Sequence, residues 1–158
     1  MANVATYEDA NLILRLYEIR REERLRKARA WFGQSFTAKT VEEFQAQCPP
    51  GSEGDAYFRM LVTYWDMAAS LVTSGVLNQD LFLESGRELL YVWEKAKFLV
   101  PAWRGYVGDP NFLSSLEKVA QAAIAFMNRA NPNAYDTFKA SMLKRAEDAG
   151  RSKASAQS

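Results

Sequence analysis

Histidine is absent from this chain, and cysteine occurs once, at Cys48. Without histidine, the Ser-His-Asp and Cys-His arrangements of nucleophilic catalysis are excluded, as is the Glu-x-x-His pattern of di-iron helical bundles. One cysteine can neither supply the ligands of a zinc site nor close an intramolecular disulfide. The expected compartment is therefore the reducing cytoplasm, and Cys48, with no base partner, reads as a bystander. No Gly-rich phosphate loop of either usual kind is present. Nor is there a run of about 18 apolar residues, the length a membrane span needs. The stretch from Leu61 to Val72 is broken by Asp66, and Ala10 to Ile19 is broken by Asn11, Arg15 and Glu18, which argues against a signal peptide. No segment alternates with period two for long enough to make a strand, and no internal repeat is visible.

What is present suits one helical domain. The chain has 158 residues, of which 48% are apolar and 13% aromatic, enough to line several helices on their inner faces. The net charge of +1 sets up no global field toward nucleic acid or an anionic membrane. Lys and Arg slightly exceed Asp and Glu in residues 1–50 and 101–158, while residues 51–100 are slightly acidic.

Cap and breaker residues divide the chain. Thr6 with Asp9 opens a helical pattern that runs to Phe32 and stops at Gly33. Ala10, Leu14, Tyr17, Leu25, Ala28 and Phe32 share one stripe of it, the expected core face. Thr40 with Glu43 opens a short helix ended by Cys48-Pro49-Pro50-Gly51. Ser52 with Asp55 opens a helix to about Ser74, with Tyr57, Leu61, Tyr64, Ala68 and Leu71 inside. Asn78 or Asp80 starts the next, which Pro101 ends or kinks. Asp109-Pro110 and Asn131-Pro132 place a cap before a first-turn proline and so open the last two helices. The segment Val119 to Met127 is apolar nearly all round and marks the most buried helix. The final helix carries Tyr135, Phe138, Met142 and Ala146 inside. The expected architecture is all-α, an antiparallel bundle of five long helices and one short one over residues 1–150, with 151–158 a loose polar tail. Breaks are expected at 33–40, 48–52, 75–79, 101–109 and 131–133.

Three features carry functional readings. The run from Arg20 to Arg29 holds six positive charges against two negative ones. It reads as a solvated helix face, because Glu22 and Glu23 stand four residues before Arg26 and Lys27 in the favourable order. Arg21 is the exception, since it falls in the middle of the apolar stripe between Tyr17 and Leu25. A guanidinium there needs a partner, and Glu84, Glu88 or Glu94 of the acidic middle segment is the expected donor of a carboxylate. Trp93, Trp103 and Arg104, within a wider supply that includes Trp65, Tyr57, Tyr64, Tyr91 and Tyr106, form the second feature. Core packing at helical spacing is the simpler reading, and an aromatic/Arg pocket for a flat ligand is the functional one. Asp66 shares a face with Arg59, Thr63, Ser70 and Thr73, and is expected at the surface.

Tyr64-Trp65, Ser74-Gly75-Val76-Leu77 with Asp80-Leu81-Phe82, Trp93-Glu94-Lys95, and Val100-Pro101 with Arg104 together resemble a family of uncharacterised bacterial helical proteins. The likeness covers about residues 56–106, and its motifs are packing and turn residues. It implies a helical fold with no established activity. Some members carry an N-terminal membrane helix, from which this chain departs, since Ala10 to Ile19 is too short and too charged.

The function expected from these features is a non-enzymatic helical interaction module, self-associating or docking a partner protein. The alternative is a small-molecule-binding or sensor domain built on Trp93, Trp103 and Arg104. Nucleic-acid binding through the first helix is a third, weaker reading. No catalytic residue, metal ligand, cofactor or membrane insertion is expected.

Overall fold

A computed structural model describes residues 3–157. Local chemistry explains most of its helix starts. Thr6 and Asp9 form a reciprocal capping box at the head of α1 (Tyr7–Arg20). The side chains of Thr40, Ser52 and Asn78 accept the third backbone N–H of α3 (Val41–Gln47), α4 (Glu53–Thr73) and α5 (Gln79–Glu84). Gly75, at φ 78°, takes the left-handed conformation just beyond α4. Between these lie α2 (Glu23–Gln34), and beyond them α6 (Glu88–Ala96), a 3-10 turn (Lys97–Leu99), α7 (Val100–Val107), α8 (Ser114–Ala130) and α9 (Ala134–Ala156). Among the described residues there is no strand, and the helices pack as one bundle.

The bundle is organised around α4, which packs against α2, α6 and α8. Phe58, Leu61, Val62, Trp65, Ala68, Ala69 and Val72 follow the three-and-four spacing of a helix face and are all buried. The small residues Ala68 and Ala69 let neighbouring helices approach closely. Gly54 does the same at the start of α4, where a Cβ would lie 3.1 Å from the Trp31 ring and 3.3 Å from Cys48 Sγ. An aromatic cluster of Phe32, Phe36, Phe44 and Phe58 joins α2, α3 and α4, with Trp103 edge-on to Phe44 and Phe58.

Several expectations need correction. The first long helix is two, because the chain turns at Arg21 and Glu22. Glu22 does not pair with Arg26 but folds back to accept the N–H groups of Arg24 and Leu25, capping α2. The break expected at 101–109 begins later, since Pro101 sits in the first turn of α7, where its missing N–H costs no helical bond. The helix expected from Asn78 to Val100 is broken at Ser85–Arg87. Asp109 and Asn131 each accept an N–H two residues on, making local turns rather than helix caps; α8 starts only at Ser114, while the break at 131–133 stands and α9 follows from Ala134. The most buried helix is α4 rather than α8, whose Gln121 and Ala125 are exposed. Residues 151–156, expected as a loose tail, continue α9 with every side chain exposed.

Candidate functional site

The turn at Arg21–Glu22 gives α1 two apolar faces. The inner one holds Leu12, Ile13 and Leu16 against the bundle, and Leu16 is anchored by Tyr64, whose hydroxyl donates to its carbonyl at 2.6 Å. Burial pushes the Tyr64 phenol up to about 12, so it remains a donor at any ordinary pH. Asp9 ties the other end of α1 by accepting the Asn78 N–H at 2.7 Å, alongside both donors of Thr6. These hydrogen bonds, first that of the Thr6 backbone, hold its carboxyl below the usual range.

The stripe Ala10, Leu14, Tyr17, Arg21 lies on the other face. It is not the core face of α1: Leu14 and Tyr17 are 60% and 49% exposed, and Tyr7, one turn ahead of Ala10, is 79% exposed. The sequence pattern continues the stripe into Leu25, Ala28 and Phe32, which are buried, but the turn resets the phase between the two helices. Arg21 is therefore exposed and pairs with no carboxylate among the described residues. Its guanidinium lies over the Tyr17 ring at 5.6 Å. The carboxylate anticipated for it, Glu88, is instead held by two other arginines. Arg29 grips it with two bonds of 2.7 Å, and Arg20 reaches it at 3.5 Å. Glu84 is exposed, and Glu94 accepts from the Tyr135 hydroxyl and pairs with Lys97 at 2.8 Å.

Beneath the inner face lies a cavity of about 60 Å³ lined by Leu16, Tyr17, Arg20, Trp65, Phe82 and Leu89, with Ser85 and Gly86 at its exposed rim. Arg20 stacks over Tyr17 at 5.0 Å and faces Trp65 at 5.9 Å. Two side-chain donors here, Arg20 Nε and Trp65 Nε1, are packed out of contact with solvent and have no acceptor among the described residues. A second cavity, of about 140 Å³, is bordered by Arg29, Phe32, Glu88 and Tyr91, but its charged groups already satisfy each other.

The residues expected to form an aromatic/Arg pocket are placed elsewhere. Trp93 is buried in the core on α6. Trp103 is half-buried, packed on Phe44, Phe58 and Phe112 and covered by Arg59 at 5.0 Å. Arg104 spends its donors on the Phe112 carbonyl and on Glu117, at 2.9 and 2.6 Å, and so clamps the loop before α8. Asp66 is half-buried rather than a surface group, and accepts the Leu116 N–H at 3.0 Å. Cys48 is buried, and burial, with a smaller contribution from Asp55, raises its thiol to about 11, which suppresses the thiolate. No group of His, Cys, Asp and Glu among the described residues is arranged to hold a metal ion, and no described helix is long and apolar enough to cross a membrane.

Arg20, Arg29 and Trp65 were not singled out from the sequence as site residues. Arg20 and Arg29 sat within the charge run, and Trp65 among the aromatics. Only the fold brings Arg20 and Arg29 to Glu88, and Arg20 and Trp65 to one cavity.

Residues 5–123 match the family described as Domain of unknown function (DUF4760), and the chain belongs to that family. The match takes in every element from α1 to the middle of α8, including both faces of α1, and leaves α9 outside it. No curated protein and no solved structure matches the chain.

Proposed function

We propose that this member of the DUF4760 family is a non-enzymatic helical interaction module that self-associates through the outer face of α1. The observation that carries the reading is the exposed stripe of Tyr7, Leu14 and Tyr17, which rises along one side of α1 and ends at Arg21. Singly exposed apolar residues are ordinary, but three large ones in register along one helix, between polar flanks, form a surface that loses free energy by being covered.

A second copy is the occupant that the stripe itself suits. Two α1 helices laid antiparallel about Leu14 bring Tyr7 of each against Arg21 of the other, since both lie seven residues from Leu14. Such a pairing is isologous and closes on itself, as two-fold dimers do. Arg21 already stacks on the Tyr17 ring of its own chain, so the partner's Tyr7 would complete an aromatic sandwich around the guanidinium. The Leu14 pair would fill the centre.

Sedimentation equilibrium over a concentration series tests the proposal. The expected result is a reversible monomer–dimer equilibrium, abolished by Leu14→Glu and weakened about tenfold by Arg21→Glu, with circular dichroism unchanged in both. A wild-type chain that stays monomeric throughout, or a Leu14→Glu variant that dimerises equally well, overturns it.

A further inference from the structure

Lys95 carries a nucleophilic amine that the interaction reading does not use. It is half-buried on α6, and its amine nitrogen donates to the Phe32 carbonyl at 2.7 Å and reaches the Tyr91 hydroxyl at 3.5 Å. That carbonyl needs a donor, because the Phe36 N–H, which a continuing α2 would give it, goes to Trp31 instead. The ring faces of Phe32, Phe36 and Tyr91 stand 4.7 to 5.4 Å from the nitrogen. No carboxylate among the described residues pairs with it, and burial lowers its pKa to about 8. At pH 7.5 about a quarter of the amine is then neutral, against about one part in a thousand for an ordinary lysine. Tyr91 is the titratable group that meets it, and Arg145 of α9 and Glu88 of α6 act in turn on Tyr91.

We infer that Lys95 is a modification site, at which the amine takes a small acyl group from an acyl phosphate. The nitrogen lone pair attacks the acyl carbon and forms the N–C bond. The C–O bond to phosphorus's oxygen breaks, inorganic phosphate leaves with the electron pair, and the surplus amine proton passes to water. The surroundings select this product. An amide is neutral and keeps one N–H, so it removes the unanswered charge and still satisfies the Phe32 carbonyl. A neutral imine formed with an aldehyde would have no N–H left for that carbonyl, and its protonated form would restore the charge. A carbamate would set an anion against the negative faces of three rings. Phe32 and Tyr91 also border the cavity of about 140 Å³, so unfilled volume lies beside the cage for an acyl group of a few atoms.

Incubating the full chain with acetyl phosphate at pH 7.5, then following each lysine by mass spectrometry of the peptides, tests this. The exposed Lys39 and Lys118 serve as internal references. Lys95 is expected to be acetylated about tenfold faster than either, because its larger neutral fraction outweighs the weaker nucleophilicity of a less basic amine. Its rate should level off above about pH 8, while those of the references keep rising. In guanidinium chloride, where the cage is lost, the preference should vanish. The acetylated chain is expected to keep its helical circular dichroism. The inference does not rest on dimerisation, and Leu14→Glu is expected to be acetylated at Lys95 as the wild type is. Equal rates at the three lysines of the native chain overturn the inference, as does a preference that survives denaturation, or loss of helical structure on acetylation. Selective trapping of Lys95 by propanal and borohydride, without selective acetylation, overturns the acyl assignment.

Discussion

Lys95 extends from α6 into the aromatic cluster. Its ammonium donates to the Phe32 carbonyl in the last turn of α2 at 2.7 Å and lies over the rings of Phe32, Phe36 and Tyr91 at 4.7 to 5.4 Å. Helix C-termini favour cations, and ring faces attract them, but no carboxylate among the described residues answers this one, and burial lowers its pKa to about 8. The consequence for stability has a definite sign. Between about 8 and the ordinary lysine value near 10.4, the unfolded chain binds the proton that the folded chain has released, so stability rises with pH across that window. Urea unfolding is expected to show a gain of about 1–2 kcal/mol from pH 7.5 to 9.5, absent in Lys95→Met. A parallel rise in both proteins would mean that Lys95 is not the group responsible. The gain is partly offset within that window, from about pH 9 by Cys48 and from about pH 10 by Tyr64 and Tyr91, because these groups ionise less readily in the folded protein than when unfolded. Neither the cage nor the depressed lysine is legible in Trp93-Glu94-Lys95, since Phe32 and Phe36 lie some sixty residues away along the chain.

At the scale of elements, the helices divide by where their caps come from. Thr6, Thr40, Ser52 and Asn78 cap their own helices within three residues, and each of those starts was readable from sequence spacing. The head of α8 has no such residue. Leu113 stands there in the left-handed region at φ 60°, a conformation costly for a branched side chain, and is retained because that side chain is buried in the core. The N–H of Leu116 is satisfied from another helix, by Asp66 of α4, while Thr73 and Ser115 join their hydroxyls at 3.0 Å. Asp66→Ala is therefore expected to cost about 1 kcal/mol in urea unfolding, with Asp66→Asn recovering most of it, as a cap residue would. Equal losses in the two variants would point to the charge of Asp66 rather than its accepting oxygen. Sequence placed the α8 cap at Asp109 because a cap supplied by a distant helix leaves no local trace.

Across the whole molecule, the bundle is dense around α4 and thins toward the C-terminus. Tyr135 and Phe138 of α9 pack on the core as partly buried residues, and the Tyr135 hydroxyl binds Glu94 of α6, but no residue of α9 is fully buried. Among the described residues from Leu143 to Gln157, only Ala149 is not fully exposed. Removing residues 144–158 is expected to change stability by no more than about 0.5 kcal/mol, with an unchanged urea midpoint as the check. Removing 131–158 instead strips Glu94 of Tyr135 and should lower it clearly. The amino-acid sequence by itself determined the helical class, most of the breaks and four of the five self-capped starts, because periodicity and capping act within a few residues. Tertiary structure decided which face of α1 is covered, since α1 must pack Leu16 on Tyr64 while α2 packs Leu25, Ala28 and Phe32 on the bundle. The turn at Arg21–Glu22 separates those two faces. It leaves Leu14 and Tyr17 outside, and it gives Glu88 to Arg20 and Arg29 rather than to Arg21. Partners so far apart in the chain are chosen by how helices dock, and no local spacing records that choice.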